Sequence, residues 1–109
     1  MTRRFYRIVR TNPPTTQDFT THLALGRSLR RPTPEDQRIA SGISVFATLP
    51  QARRHARKLP MLGGYIAEIE LPDELDIRVE RTGGPGHHTL WGDARIVLDQ
   101  VRDIMSVSE

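Results

Sequence analysis

The sequence predicts an α+β domain built on a small, largely antiparallel sheet with short helices, and three observations carry that expectation. Short runs rich in β-formers recur along the chain at residues 5–9, 42–48 and 65–71, with helical patterns between them. The strands and crossovers are too few for a doubly wound parallel sheet. A length of 109 residues suits one domain, 1–109, and leaves little room for a second core.

Each element has its own reason. Residues 5–9 (FYRIV) alternate and read as a first strand, which Asn12-Pro13-Pro14 breaks. Thr15-Thr16 offers a helix cap, and Phe19, His22 and Leu23 share one helical face before Gly26 stops the pattern. Residues 27–41 (RSLRRPTPEDQRIAS) are charged and proline-broken, a surface loop with a helical turn from Pro34. Residues 42–48 form a second strand. Pro50 then opens a helix on which Leu49, Ala52, Ala56 and Leu59 repeat at helical spacing and whose other face is basic. Gly63-Gly64 turns the chain into residues 65–71 (YIAEIEL). Here Ile66 and Glu68 take one face, Tyr65, Ala67, Ile69 and Leu71 the other, and Pro72 ends the strand. Residues 77–80 suit another short strand, followed by a glycine-rich break. Asp93 caps a short helix over residues 94–98, and Val101, Ile104, Met105 and Val107 belong to a last strand.

Hydrophobic residues make up 37% and charged residues 27%, and no apolar run approaches the roughly 20 residues that span a bilayer, so no membrane partner is expected. The start MTRRFYRIVR lacks the apolar segment of a secretory signal. With no cysteine, disulfides and thiolate metal sites are excluded, and a cytoplasmic location fits. The net charge of +3 comes from arginine, which suits either a solvated basic surface or phosphate-bearing ligands and nucleic acid.

Four constellations could carry chemistry. His87-His88 is an adjacent pair, but neighbours on an extended chain point to opposite faces, so no metal site is expected there. Trp91, the single tryptophan, is either a core anchor or a ring-stacking platform. Arg53, Arg54, Arg57 and Lys58 form a basic helix face that is either solvated or a phosphate contact, with no interleaved aromatics to stack bases. Glu68, Glu70, Asp73, Glu74 and Asp76 cluster at a strand and its exit, where a carboxylate can serve general-base or electrostatic work or only solubility. The stretch GHHTLWGD is expected to be a ligand-side corner. Gly83, Gly84 and Gly86 would let the backbone turn, His88 or Thr89 would face a cleft, Trp91 would anchor the corner and Asp93 would cap the next helix.

Taken in order, FYRIVR, GISVFATLPQARRHA and GGYIAEIELPDELDI resemble the small ADP-ribosyltransferase fold and are similar in texture to rifampin ADP-ribosyltransferases. The resemblance implies a split antiparallel sheet gripping NAD as substrate, with ADP-ribose transferred through an oxocarbenium-like transition state and nicotinamide released. It also implies a toxin-like or modifying enzyme, of the kind found in toxin–antitoxin pairs. By position, Arg7 falls where the family holds the dinucleotide, and Ser44 where it lines the nicotinamide side. Asp76, or Asp73, falls near the acid that steadies the ribose cation. Tyr65, His88 and Trp91 join Arg7 and Ser44 as expected cofactor contacts. The competing expectation is a non-catalytic binding or regulatory module whose Arg53, Arg54 and Arg57 meet nucleic acid or an acidic protein partner.

Overall fold

Period-two alternation decides the longest strand pair. In the computed structural model, which describes residues 2–19, 33–82 and 86–108, β1 (Thr2–Val9) runs antiparallel to β3 (Tyr65–Pro72) along its whole length, from Thr2↔Pro72 to Val9↔Tyr65. The remaining strands are β2 (Ile43–Phe46), β4 (Arg78–Arg81), β5 (His87–Trp91) and β6 (Val101–Ser106). The helices are α1 (Pro34–Ala40), α2 (Leu49–Lys58) and α3 (Ala94–Asp99), with 3-10 turns at Thr16–Phe19 and Pro60–Leu62. All six strands form one antiparallel sheet in the order β4-β5-β2-β1-β3-β6. β1 and β2 share a single ladder pair, Tyr6↔Phe46. A narrow seam therefore joins two three-stranded halves.

Each sheet face buries its own cluster. On one face Phe5, Val9, Ile43, Val45, Ala67, Ile69, Leu71 and Leu90 pack with Phe19 from the first 3-10 turn and Val97 from α3. On the other, Phe46 and Ile66 pack against Ala52 of α2, with Tyr6, Ile8 and Leu49 beside them. Ala52 and Ala56 are both buried, and their small side chains let the α2 backbone lie close to the strands. The helix starts where expected: Thr48 is its N-cap, accepting from the Gln51 amide at 3.3 Å, with Pro50 in the first turn. Gly63 has φ of 146° and sits so close to the Val9 carbonyl that a Cβ would collide, so glycine is required where the chain turns into β3. Asp93 caps α3 as expected, accepting from the Arg95 amide at 2.8 Å. No helix among the described residues is long and apolar enough to cross a membrane.

Some expectations are displaced. The GHHTLWGD corner is a strand: His87–Trp91 forms β5, inserted between β4 and β2. Tertiary pairing decides this, because the two neighbouring strands take up its backbone groups while Thr89 and Leu90 become fully buried. The turn is confined to Gly86, whose φ is 76°; Gly83 and Gly84 lie outside the described residues. The helix expected from Thr15 begins as the 3-10 turn Thr16–Phe19, and its continuation through His22, Leu23 and Gly26 also lies outside them. Within the charged segment, the turn expected from Pro34 is α1.

Trp91 is half-buried and ties α1 to the sheet. Its Nε1 donates to the Arg38 carbonyl at 3.0 Å and to Ser41 Oγ at 3.2 Å, and the Arg38 guanidinium lies 4.8 Å from its ring centroid. Arg38 in turn holds Glu80 of β4 at 2.7 Å. Trp91→Ala is expected to cost about 2–4 kcal/mol through lost packing and the lost tie to α1, although the Arg38 carbonyl keeps the Ser41 hydroxyl at 2.6 Å, and Trp91→Phe about 1 kcal/mol. Urea denaturation checks both values, and equal stability of Trp91→Ala and wild type would contradict the anchoring role.

Candidate functional site

Alternation along β1 puts Arg3, Phe5, Arg7 and Val9 on the face that α3 covers, so a guanidinium sits between two core side chains. It meets the seam. Arg7 Nε donates to the Asp18 carbonyl and Nη1 to the Ser44 carbonyl, each at 2.7 Å, while Cζ lies 5.7 Å from the Phe19 ring centroid. The Ser44 carbonyl, turned toward β1, thus finds a side-chain donor where the ladder has opened. Burial pulls the Arg7 pKa down to about 10 against the opposing pull of Asp18, so the group carries its charge at any physiological pH.

Asp18 closes the loop that delivers Phe19. Its carboxylate accepts from the Arg10 amide at 2.8 Å, Thr11 Oγ1 at 2.6 Å and the Thr15 amide at 2.9 Å. Burial alone would raise this carboxyl. The three hydrogen bonds and the nearby Arg7 charge outweigh that and hold it below its ordinary value.

Counting antiparallel from Tyr6↔Phe46 brings Arg7 alongside Val45, which pairs with His88, which pairs with Arg81. Arg7, His88 and Arg81 therefore lie in one row on one face. The His88 ring sits 5.2 Å from that of Phe5, over which the Arg3 guanidinium lies at 5.2 Å, and His88 Nδ1 is 3.3 Å from the Gly86 carbonyl. Tyr65, paired with Val9, shares this face and is 36% exposed. Cations and one imidazole thus flank the seam around a phenyl ring.

The other expected site residues are placed elsewhere. Ser44 pairs with Thr89, and alternation turns its side chain to the α2 face, so Arg7 meets its carbonyl and not its hydroxyl. Trp91 lies on that same face. Asp76 is exposed in the β3–β4 connection, beyond Arg78 and at the opposite end of β4 from Arg81. It makes no hydrogen bond or ion pair among the described residues. Asp73 is exposed in the same connection. The acid in the row of Ser44 and Thr89 is Glu80, held by Arg38 and Arg78. Asp18 and Glu80 were not singled out from sequence, and Phe19 only as part of a helical face. Asp18 sits in TTQDF, which reads as a helix start, and its spacing to Thr15 is that of a capping box, whose acid accepts from the cap amide three residues back.

Two further groupings lie on the α2 face. The Phe46 ring is 5.0 Å from His55 and 5.5 Å from His87, edge-on to the latter. Burial, aided by the neighbouring His55 and His88, lowers the His87 pKa, and the hydrogen bond to the Thr82 carbonyl opposes this. Arg53, Arg54, Arg57 and Lys58 with Pro50 line an open concavity of ≈ 490 Å³ on α2. No cluster of three or more His, Cys, Asp or Glu able to hold a metal is found among the described residues. Set against family models, curated proteins and solved structures, the chain matches none.

The Asp18 interactions have a pH signature. A carboxyl lowered in the folded state stabilises fully above its ordinary value of 3.8, and that contribution is lost as pH falls through the folded value. Asp18→Asn is therefore expected to lower Tm at neutral pH and to flatten its fall on acidification below about pH 4. Melting curves across that range check this, and acid arms of equal steepness in both proteins would contradict it.

Proposed function

We propose that this chain is an ADP-ribosyltransferase-like protein that binds NAD, or a related nucleotide, over the seam between β1 and β2. One observation carries the reading: a desolvated guanidinium, Arg7, is fixed at the opening of an antiparallel sheet that parts into two halves, with His88 and Arg81 in the same row on the same face. A split sheet is what the sequence resemblance implies for a dinucleotide site. The fixed charge of Arg7 attracts a pyrophosphate, and Arg81, exposed, offers its fork for bidentate contact. The His88 imidazole, held against Phe5, suits hydrogen bonding to a ribose hydroxyl.

In the reaction the reading implies, the bond between ribose C1′ and nicotinamide breaks and its electron pair leaves with nicotinamide. The oxocarbenium ion then takes up an acceptor nucleophile. A carboxylate near the ribose lowers this barrier. Neither Asp76 nor Asp73 lies in the Arg7 row, so nucleotide binding is the better supported half of the proposal, and a toxin-like or modifying activity is its extension.

Calorimetric titration of the chain with NAD tests the binding half. Saturable binding is expected, weakened tenfold or more by His88→Ala and by Arg81→Gln, about 1.4 kcal/mol or more each, with little change in Tm. Nicotinamide release, followed chromatographically, tests the transfer half, and Asp76→Asn should abolish it if Asp76 is the acid. A wild-type chain that binds neither NAD nor its ADP-ribose or ADP fragments would defeat the proposal.

A further inference from the structure

We propose that the outer face of α2 docks the phosphate backbone of double-stranded nucleic acid without reading its sequence. This surface lies on the opposite side of the sheet from the nucleotide face: α2 covers Phe46 and Ile66, whereas Arg7 and His88 face the α3 side. It is independent of that reading.

Five arginines elsewhere are paired, and Arg3, Arg10 and Arg81 singly lack an acidic partner among the described residues, whereas α2 clusters its unpaired cations. Arg4 pairs with Glu68 and Glu70, Arg38 with Glu35 and Glu80, Arg78 with Glu80, Arg95 with Asp93, and Arg102 with Glu70. None of Arg53, Arg54, Arg57 and Lys58 has an acidic partner among the described residues, and the helix, LPQARRHARK, contains no acid. Arg53 with Arg57, and Arg54 with Lys58, stand four apart, so like charges are stacked one turn over another, about 6 Å along the axis. Cations in the last turn are favoured by the helix dipole, which accounts for Arg57 and Lys58 but not for Arg53 and Arg54 one turn earlier. Arg53 Nε is in addition buried without a hydrogen-bond partner. A helix that keeps four uncompensated cations around one concavity is built to meet an anion.

The lining selects among anions. It holds no aromatic ring on which single-stranded bases would stack. Among the described residues it holds no amide or acid side chain to read adenine or cytosine edges, and its guanidinium and ammonium groups, which can also reach guanine, meet phosphates at every sequence. An acidic protein would need an apolar centre to its interface, and among the described residues Pro50 is the only uncharged one lining the concavity. Guanidinium forks and one ammonium around an open, shallow surface fit a rigid row of phosphates.

The test is fluorescence anisotropy of the full chain with a labelled duplex of about 20 base pairs and arbitrary sequence, between about 50 and 200 mM salt. Four phosphate contacts predict a slope of log K against log salt of about −3 to −4, and two unrelated duplexes should bind within about twofold of each other. The variant R54Q/R57Q/K58Q leaves half-buried Arg53 in place. It should keep the wild-type Tm, flatten the slope by about 2–3 and weaken binding at the lowest salt at least tenfold. Duplex binding equal to wild type in that variant would overturn the proposal, as would no duplex binding by wild type at low salt. Polyglutamate competing as well as duplex at equal charge would overturn it in favour of an acidic protein. NAD titration of the same variant should match wild type, so this proposal and the nucleotide reading stand or fall separately.

Discussion

Between β1 and β2 the sheet is held by one ladder pair and by the guanidinium of Arg7, which reaches the Ser44 carbonyl on one side and the Asp18 carbonyl on the other. Much of the molecule is arranged around that bridge. Burying a cation is costly, and here the cost is offset by two short charge-assisted hydrogen bonds and by the Phe19 ring beneath it. The Asp18 carbonyl is in place only because the Asp18 carboxylate gathers three donors from residues 10–15. That loop then delivers Phe19, 1% exposed, to the same core that Val97 enters from α3. One side chain thus links the two half-sheets and anchors the loop that covers them.

A seam of this kind also divides labour between faces. On the α3 side it gathers Arg7, His88 and Arg81 beside partly open surface, which is where a nucleotide would find fixed charge. On the α2 side, Ala52 and Ala56 bring a helix down onto Phe46 and Ile66 and turn its arginines outward. The half-sheet carrying β4 and β5 is braced from that side by Trp91 and the Arg38–Glu80 pair. Its position relative to β1 therefore depends on the seam and not on a continuous ladder.

Local chemistry was legible in the sequence, and long-range register was not. Thr48 with Pro50, Asp93 and the alternation of β3 each encode their element within a few residues, and each appears as expected. β5 was hidden because glycines and an adjacent His pair look like a turn, while its strand character comes from β2 and β4, distant in sequence. Whether Ser44 shares a face with Arg7 depends on Tyr6↔Phe46, a pairing no local pattern contains. One signal was available: alternation in FYRIV places Arg7 on the same side as Phe5 and Val9, an arginine on an apolar strand face. Such a residue must find partners inside the fold, and here they are backbone carbonyls.

The bridge is tested most directly by amide hydrogen exchange in Arg7→Leu, a substitution that keeps the core position apolar while removing both donors. If the guanidinium joins the halves, amides of β2 and of the Thr16–Phe19 turn lose protection by tenfold or more relative to those of β3, whose ladder with β1 does not involve the side chain. Equal loss in β2 and β3, or no loss in either, would contradict it.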